Sequence, residues 1–196
     1  MDETYKILIL GERNVGKTSI LLRFCTDAYY ENTMQSSGIS YLTKEISIDG
    51  EKLILLIWDT ASTEAYRAIN KAYYRNSLGI LVVYDHTEEY TFDAIPDWIN
   101  EAQDVIGYDK PIFIICNKCD LTEKVEVPES QAISFASSNN YNFYTTSAKT
   151  GYNITTVFYD LGRIMLENRR LEMSKHRTSI VLKPNLKYNK VLKCKC

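Results

Sequence analysis

Six short apolar runs punctuate the chain, at Tyr5–Leu10, Leu42–Ile48, Leu53–Trp58, Ile80–Tyr84, Ile112–Cys116 and Asn142–Thr145. Each has the length of a β-strand. Ile7–Leu10, Ile80–Val83 and Ile112–Ile115 are near-continuous, which predicts central strands covered on both faces. Ile46-Ser47-Ile48 alternates, and Asp49-Gly50 then leads into the run from Leu53. An Asp-Gly so placed predicts a hairpin of two antiparallel strands. Between the runs, apolar residues recur at helical spacing. Phe92, Ile95, Trp98, Ile99, Ala102 and Ile106 share one face, and Ile154, Val157, Phe158, Leu161 and Met165 share another. Pro96 fits this pattern only within the first turns of its helix. Ser19–Phe24, Ala65–Tyr74 and Pro128–Ser138 fill the remaining gaps, the last opening with a proline suited to a helix start. Strands alternating with helices predict an α/β domain with a mostly parallel sheet. After Arg170 the periodicity fades, so residues 1–173 read as one domain and 174–196 as a flexible tail.

A length of 196 residues suits one domain plus a tail, and 45% apolar with 24% charged residues is ordinary for a globular chain. No apolar run approaches the ~18 residues that a membrane-spanning helix needs. The acidic start, Met1-Asp2-Glu3-Thr4-Tyr5, lacks the features of a signal peptide and the glycine needed for myristoylation. A cytosolic chain is expected. The net charge of −2 hides an asymmetry: seven Lys or Arg and no acid lie between Lys175 and Cys196. Residues 1–174 carry 16 basic and 25 acidic residues, which argues against general nucleic-acid binding. The basic tail suits an anionic membrane surface, or is simply a solvated terminus. Five cysteines form no disulfide framework. Asn153-Ile154-Thr155 fits a glycosylation sequon that a cytosolic chain never presents to the enzyme, and His86 and His176 have no matching ligands.

The strongest chemical signal is Gly11-Glu12-Arg13-Asn14-Val15-Gly16-Lys17-Thr18, which follows the first strand and precedes a helix. It fits G-x-x-x-x-G-K-[ST], the phosphate-binding loop. Its glycines let the backbone fold around an anion with successive N–H groups turned inward. Lys17 supplies a cation for the β- and γ-phosphates, and the Thr18 hydroxyl is a hard ligand for Mg²⁺. Asn117-Lys118-Cys119-Asp120 follows the fifth run, and Ser147-Ala148-Lys149 the sixth.

With these in order, the sequence resembles the Ras-like small GTPases, whose guanine-recognition motifs are N-K-x-D and S-A-K. The resemblance implies a Ras-like P-loop GTPase fold, with a six-stranded, mostly parallel sheet flanked by about five helices. It implies GTP/GDP and Mg²⁺ as cofactors. Asp120 would accept from guanine N1–H and the exocyclic amine, Asn117 would bond the base and tie it to the phosphate loop, and the Ala148 N–H would meet O6. Such a site leaves polar groups unpaired when adenine enters. The stems of Lys118 and Lys149 would flank the ring, with Tyr29 stacked on it. Arg13, Asn14, Val15, Gly16, Lys17, Thr18, Ser19, Ser36 and Ser147 complete the nucleotide set, and Thr18, Ser36 and Asp59 the metal set. Cys119 fills the variable position of N-K-x-D, which removes a zinc reading of Cys116-Asn-Lys-Cys119.

Within that superfamily the Rab branch fits best. Trp58-Asp59-Thr60-Ala61 with Tyr66-Arg67-Ala68-Ile69, Tyr73-Tyr74-Arg75-Asn76-Ser77 and Gly38-Ile39-Ser40-Tyr41 are similar to its characteristic segments. Cys194-Lys195-Cys196 resembles a C-x-C double geranylgeranylation signal. The resemblance implies a GTP/GDP-switched regulator of vesicle traffic on the cytoplasmic face of intracellular membranes, with a cytosolic pool. Its partners would be an exchange factor, a GTPase-activating protein, effectors, and prenylation escort and membrane-extraction proteins.

Three departures fall on the hydrolytic residues. Ser62 stands where the family has Gly, and Thr63 where it has the Gln that orients the attacking water. Ser62 restricts a backbone that must swing, and Thr63 is too short for the Gln's task. Arg13 replaces a small residue facing the γ-phosphate; it either blocks a partner's arginine finger or substitutes for it. Finger-type stabilisation is worth factors of ~10³–10⁵. Slow intrinsic hydrolysis is expected, with Thr63, Ser62, Lys17 and Arg13 as the catalytic set. The family's switch Thr becomes Ser36, whose hydroxyl can still coordinate the ion. A GTP-binding scaffold without useful turnover is the alternative. A metabolic P-loop kinase leaves Asn117–Asp120 and Ser147–Lys149 without work.

Overall fold

A computed structural model of the chain describes residues 4–31, 40–60 and 72–181. The chain divides into two units, Met1–Met165 and Leu166–Cys196. The first unit is built on six strands: β1 (Thr4–Leu10), β2 (Ser40–Ile48), β3 (Glu51–Asp59), β4 (Gly79–Asp85), β5 (Ile112–Asn117) and β6 (Asn142–Thr145). They form one sheet in the order β2-β3-β1-β4-β5-β6, with only β2 antiparallel to its neighbour. Asp49 (φ 51°) and Gly50 (φ 82°) are both left-handed, the geometry that a two-residue hairpin turn requires. Every residue of β4 and β5 is buried, as continuous apolar runs demand.

Five α-helices are described from end to end: α1 (Lys17–Thr26), α2 (Glu89–Asp93), α3 (Ile95–Ile106), α4 (Glu129–Ser138) and α5 (Ile154–Val181). Residues 72–74 are helical too, and the rest of the run expected over Ala65–Tyr74 lies outside the described residues. Together with the sheet they give the expected Ras-like α/β architecture. On one face, Trp98, Ile99 and Ala102 of α3 join Leu8, Ile80, Val82 and Ile114 in a single buried cluster. Phe24 of α1 and Phe158 of α5 stack with ring centroids 3.9 Å apart. Gly79 lets α5 come close: a Cβ there would lie 2.9 Å from Leu161 Cδ1.

Two expectations shift. The apolar face from Phe92 to Ile106 is carried by two helices, separated at Ala94. Pro96 lacks the N–H that would continue the ladder, and it sits in the first turn of α3. The stretch from Ser174, read as linker, is helical to Val181. Loss of amphipathic spacing does not end a helix that meets no breaker, and residues 171–181 hold neither Gly nor Pro.

The parallel strands end together. Asp59 lies beside Ile9, Asp85 beside Asn117, and Thr145 beside Cys116. The C-terminal ends of β1, β3, β4, β5 and β6 therefore lie along one end of the sheet, where α/β folds place their ligands.

Candidate functional site

The loop from Gly11 to Gly16 leaves β1 in a backbone path that only glycine permits at its ends. Gly11 has φ +135°, and a Cβ there would lie 2.1 Å from the Val83 carbonyl oxygen. Gly16 has φ +98°, and a Cβ there would strike Asn117 Nδ2 at 2.3 Å. Val15 is buried, while Arg13 and Asn14 face outward on the exposed rim. Lys17 opens α1, and its Nζ donates to the carbonyls of Gly11 (2.8 Å) and Glu12 (2.7 Å). The ammonium is thus curled over the loop's concavity. Burial pulls its pKa down to about 8, with Asp59 and Glu12 opposing the shift.

One residue on, the Thr18 hydroxyl donates to Asp59 Oδ2 at 2.5 Å. Asp59 is fully buried at the end of β3. A hydroxyl and a carboxylate converging beside the loop make the hard oxygen donor set that Mg²⁺ takes, so these residues fit the ion. The next residue, Thr60, is fixed by a hydrogen bond to the Ile9 carbonyl (2.9 Å). Ser36, Ser62 and Thr63 lie outside the described residues.

A cavity of about 120 Å³ adjoins the loop, lined by Gly16, Ser19, Tyr29, Asn117, Lys118, Asp120, Leu121, Ala148 and Lys149. Asn117 is its keystone. Its Nδ2 donates to the Val15 carbonyl (2.8 Å), and its Oδ1 accepts from Thr146 Oγ1 (3.2 Å) and the Ala148 N–H (3.3 Å). One buried side chain therefore joins the phosphate loop to the Ser147–Lys149 loop. Asp120 Oδ1 accepts from Ser147 Oγ at 2.5 Å, which fixes the carboxylate's rotation. Lys118, at φ 65°, pairs through Nζ with Asp85 Oδ2 at 2.5 Å.

A family model, described as the Ras family, matches residues 6–167. The chain belongs to the Ras family. Rab-8A of Bos taurus is 38% identical over 162 residues, covering 83% of this chain and 78% of its own. Rab-8B of Homo sapiens is 36% identical over 173 residues, 88% and 84% of the two chains. Rab-8 of Diplobatis ommata is 36% identical over 175 residues, 89% and 83% of the two. Within the Ras family this chain is Rab-like.

In the Ras-family chain, the cavity brings together six of the residues expected to bind the base: Tyr29, Asn117, Lys118, Asp120, Ala148 and Lys149. Ser147 stands behind them, fully buried. Three further contributors are Asp85, Glu12 and Arg23. Asp85 anchors Lys118 and is itself held by the Thr87 N–H (2.9 Å) and hydroxyl (2.7 Å). Its place was legible as an acid at the end of a continuous apolar run. Glu12 accepts from the Trp98 indole N–H (3.0 Å), which couples α3 to the phosphate loop. Arg23 reaches from α1 to the carbonyls of Ala148 and Lys149 (both 2.9 Å). No sequence signal marks it, because an arginine on a helix usually lies along solvent. Among the described residues no cluster of His, Cys, Asp or Glu could hold a metal by itself, and no helix is long and apolar enough to cross a membrane.

Proposed function

We propose that this Rab-like chain is a GTP/GDP-switched regulator of vesicle traffic with slow intrinsic hydrolysis. The observation that carries the reading is Asn117, which spans from Val15 in the phosphate loop to Ala148 in the base loop. A phosphate loop alone serves many nucleotides; one hydrogen-bonded to an N-K-x-D asparagine is built for guanine.

The residues divide the work by chemistry. The Lys17 ammonium meets the β- and γ-phosphates in place of the loop carbonyls it now bonds. Thr18, Ser36 and Asp59 hold Mg²⁺, which when bound offsets the charge on the phosphates. Asp120 accepts from the two guanine donors, the Ala148 N–H turns from Asn117 Oδ1 to donate to O6, and Lys118, Lys149 and Tyr29 cover the faces of the ring. Ser36 senses the triphosphate. Ser62 and Thr63 leave the attacking water poorly oriented, and Arg13 on the exposed rim faces incoming regulators.

Cys194 and Cys196 carry prenyl chains, and the seven basic residues of the tail add attraction to an anionic leaflet. The protein then divides between the cytoplasmic face of a membrane and the cytosol. Exchange factor, GTPase-activating protein, effectors, and escort and extraction proteins act on it there.

Single-turnover hydrolysis of GTP preloaded on the full chain, with and without Mg²⁺, tests this. Slow, Mg²⁺-dependent production of GDP is expected. Absence of any turnover would favour a scaffold, and rapid turnover would remove the assigned defect.

A further inference from the structure

Arg23 is the sixth residue after Lys17 on α1, and all three of its guanidinium nitrogens donate. Nε donates to the Ala148 carbonyl (2.9 Å) and Nη2 to the Lys149 carbonyl (2.9 Å). Nη1 donates to the Asp27 carbonyl (2.8 Å) and to Asp27 Oδ1 (3.0 Å). The Tyr29 ring centroid is 6.0 Å from Cζ. Arg23 is not among the residues that line the cavity, yet it touches three that are. The Asp27 carboxylate is 92% exposed whereas the Arg23 side chain is only 18% exposed, so the ion pair is the minor half of the arrangement. The two carbonyl bonds are the major half.

We infer that Arg23 is a positioning residue for the guanine pocket, clamping the Ala148–Lys149 backbone and Tyr29 to the helix that carries Lys17 and Thr18, and so setting how long nucleotide stays bound. The inference rests on the guanine reading above. Ala148 is held through both backbone groups, its carbonyl by Arg23 and its N–H by Asn117 Oδ1. The rest of the loop is tied to itself, through the Gly151 N–H to the Ser147 carbonyl (2.8 Å) and the Ser147 N–H to the Tyr152 carbonyl (3.1 Å), and to the Asn117–Asp120 segment through Ser147 Oγ to Asp120 Oδ1 (2.5 Å). Those bonds keep the loop's shape and its place beside Asp120 without fixing its distance from α1, and the exposed Lys149–Glu31 pair at 3.6 Å is a weak tie. Arg23 supplies that fixed distance. A rigid fork suits two adjacent carbonyls, and a lysine's single ammonium does not. Release of the clamp frees the loop to move away from the base while the phosphate loop stays formed.

The test loads the full chain with a fluorescent GDP derivative and follows its displacement by excess GDP, for wild type, Arg23→Ala, Arg23→Lys and Asp27→Asn. Arg23→Ala should speed dissociation at least tenfold and Arg23→Lys at least threefold. Asp27→Asn, which keeps the carbonyl bonds, should stay within twofold of wild type. Base selectivity separates positioning from general loosening. In Arg23→Ala the preference for GDP over 6-thioguanosine diphosphate, in which sulfur replaces O6 while N1–H and the amine remain, should fall at least threefold. The preference for GDP over IDP, which lacks only the amine read by Asp120, should hold. Where Arg23→Ala fails to fold, the same thresholds of threefold in rate and selectivity are read on Arg23→Lys. Dissociation within twofold of wild type in the folded Arg23 variants, or equal loss of both preferences, would overturn the inference. A wild-type chain that fails to prefer GDP over ADP would refute the guanine reading and this inference with it.

Discussion

Asn117 donates its side-chain amide to the carbonyl of Val15, 102 residues earlier in the chain, at 2.8 Å and in a buried setting. That bond makes the phosphate loop and the base loop one structure. Asn117→Ala removes it together with the acceptor used by Thr146 and Ala148. The change should cost about 2 kcal/mol, since buried polar partners are left unsatisfied. At this chain length the melting temperature should fall by about 4–8 °C. GDP affinity should fall by more than tenfold. Thermal melting with and without GDP checks both effects.

Lys17 links binding to pH. Burial lowers its pKa in the fold to about 8, against 10.5 for the ordinary side chain. Between those values the unfolded chain holds the proton that the fold releases, so the ligand-free protein should gain stability as pH rises through that window. Phosphate favours the ammonium and reverses the preference. Calorimetry of GDP binding at pH 8.5, in buffers of different ionisation enthalpy, should show net proton uptake, and nearly none at pH 6.5. No uptake at pH 8.5 would mean that Lys17 stays charged in the empty loop.

These features were unequally visible in the sequence. The strands announced themselves because β4 and β5 are continuous apolar runs, and the hairpin because Asp49-Gly50 takes two left-handed residues. Motif residues were legible because their chemistry is local: a glycine where Cβ would collide, a lysine where an anion sits. The pairing of Asp85 and the contacts of Arg23 were hidden for the opposite reason. Their roles depend on which strand ends and which loops the fold brings together, and spacing along the chain carries no trace of that. The last helix runs on to Val181 because an α-helix without breakers outlasts its apolar stripe.

The substituted hydrolytic residues lend themselves to reversion. Ser62→Gly with Thr63→Gln should raise intrinsic GTP hydrolysis at least tenfold, about 1.4 kcal/mol of barrier. Single-turnover rates on preloaded protein give the answer. An unchanged or lower rate would mean that Arg13 or another group has taken over the task.

Membrane attachment should follow the two terminal-motif cysteines. Burial of a prenyl chain gains ~0.8 kcal/mol per CH₂, and two chains hold where one is marginal. Cys194→Ser with Cys196→Ser should leave the protein in the soluble fraction after a high-salt wash. A single substitution should leave weak, reversible binding. A double variant that still pellets would place the anchor elsewhere.

The central claim is that the cavity beside Asn117 and Asp120 reads guanine. Equilibrium competition on the full chain with Mg²⁺, using GDP, GTP, ATP and xanthosine diphosphate, tests it directly. Wild type should bind GDP and GTP at least a hundredfold more tightly than ATP, because adenine leaves the site's polar groups unpaired. Asp120→Asn should weaken GDP and strengthen the xanthine nucleotide, since an amide presents a donor where the carboxylate only accepts. ATP competing as well as GTP, or an Asp120→Asn variant with unchanged base preference, would contradict the account.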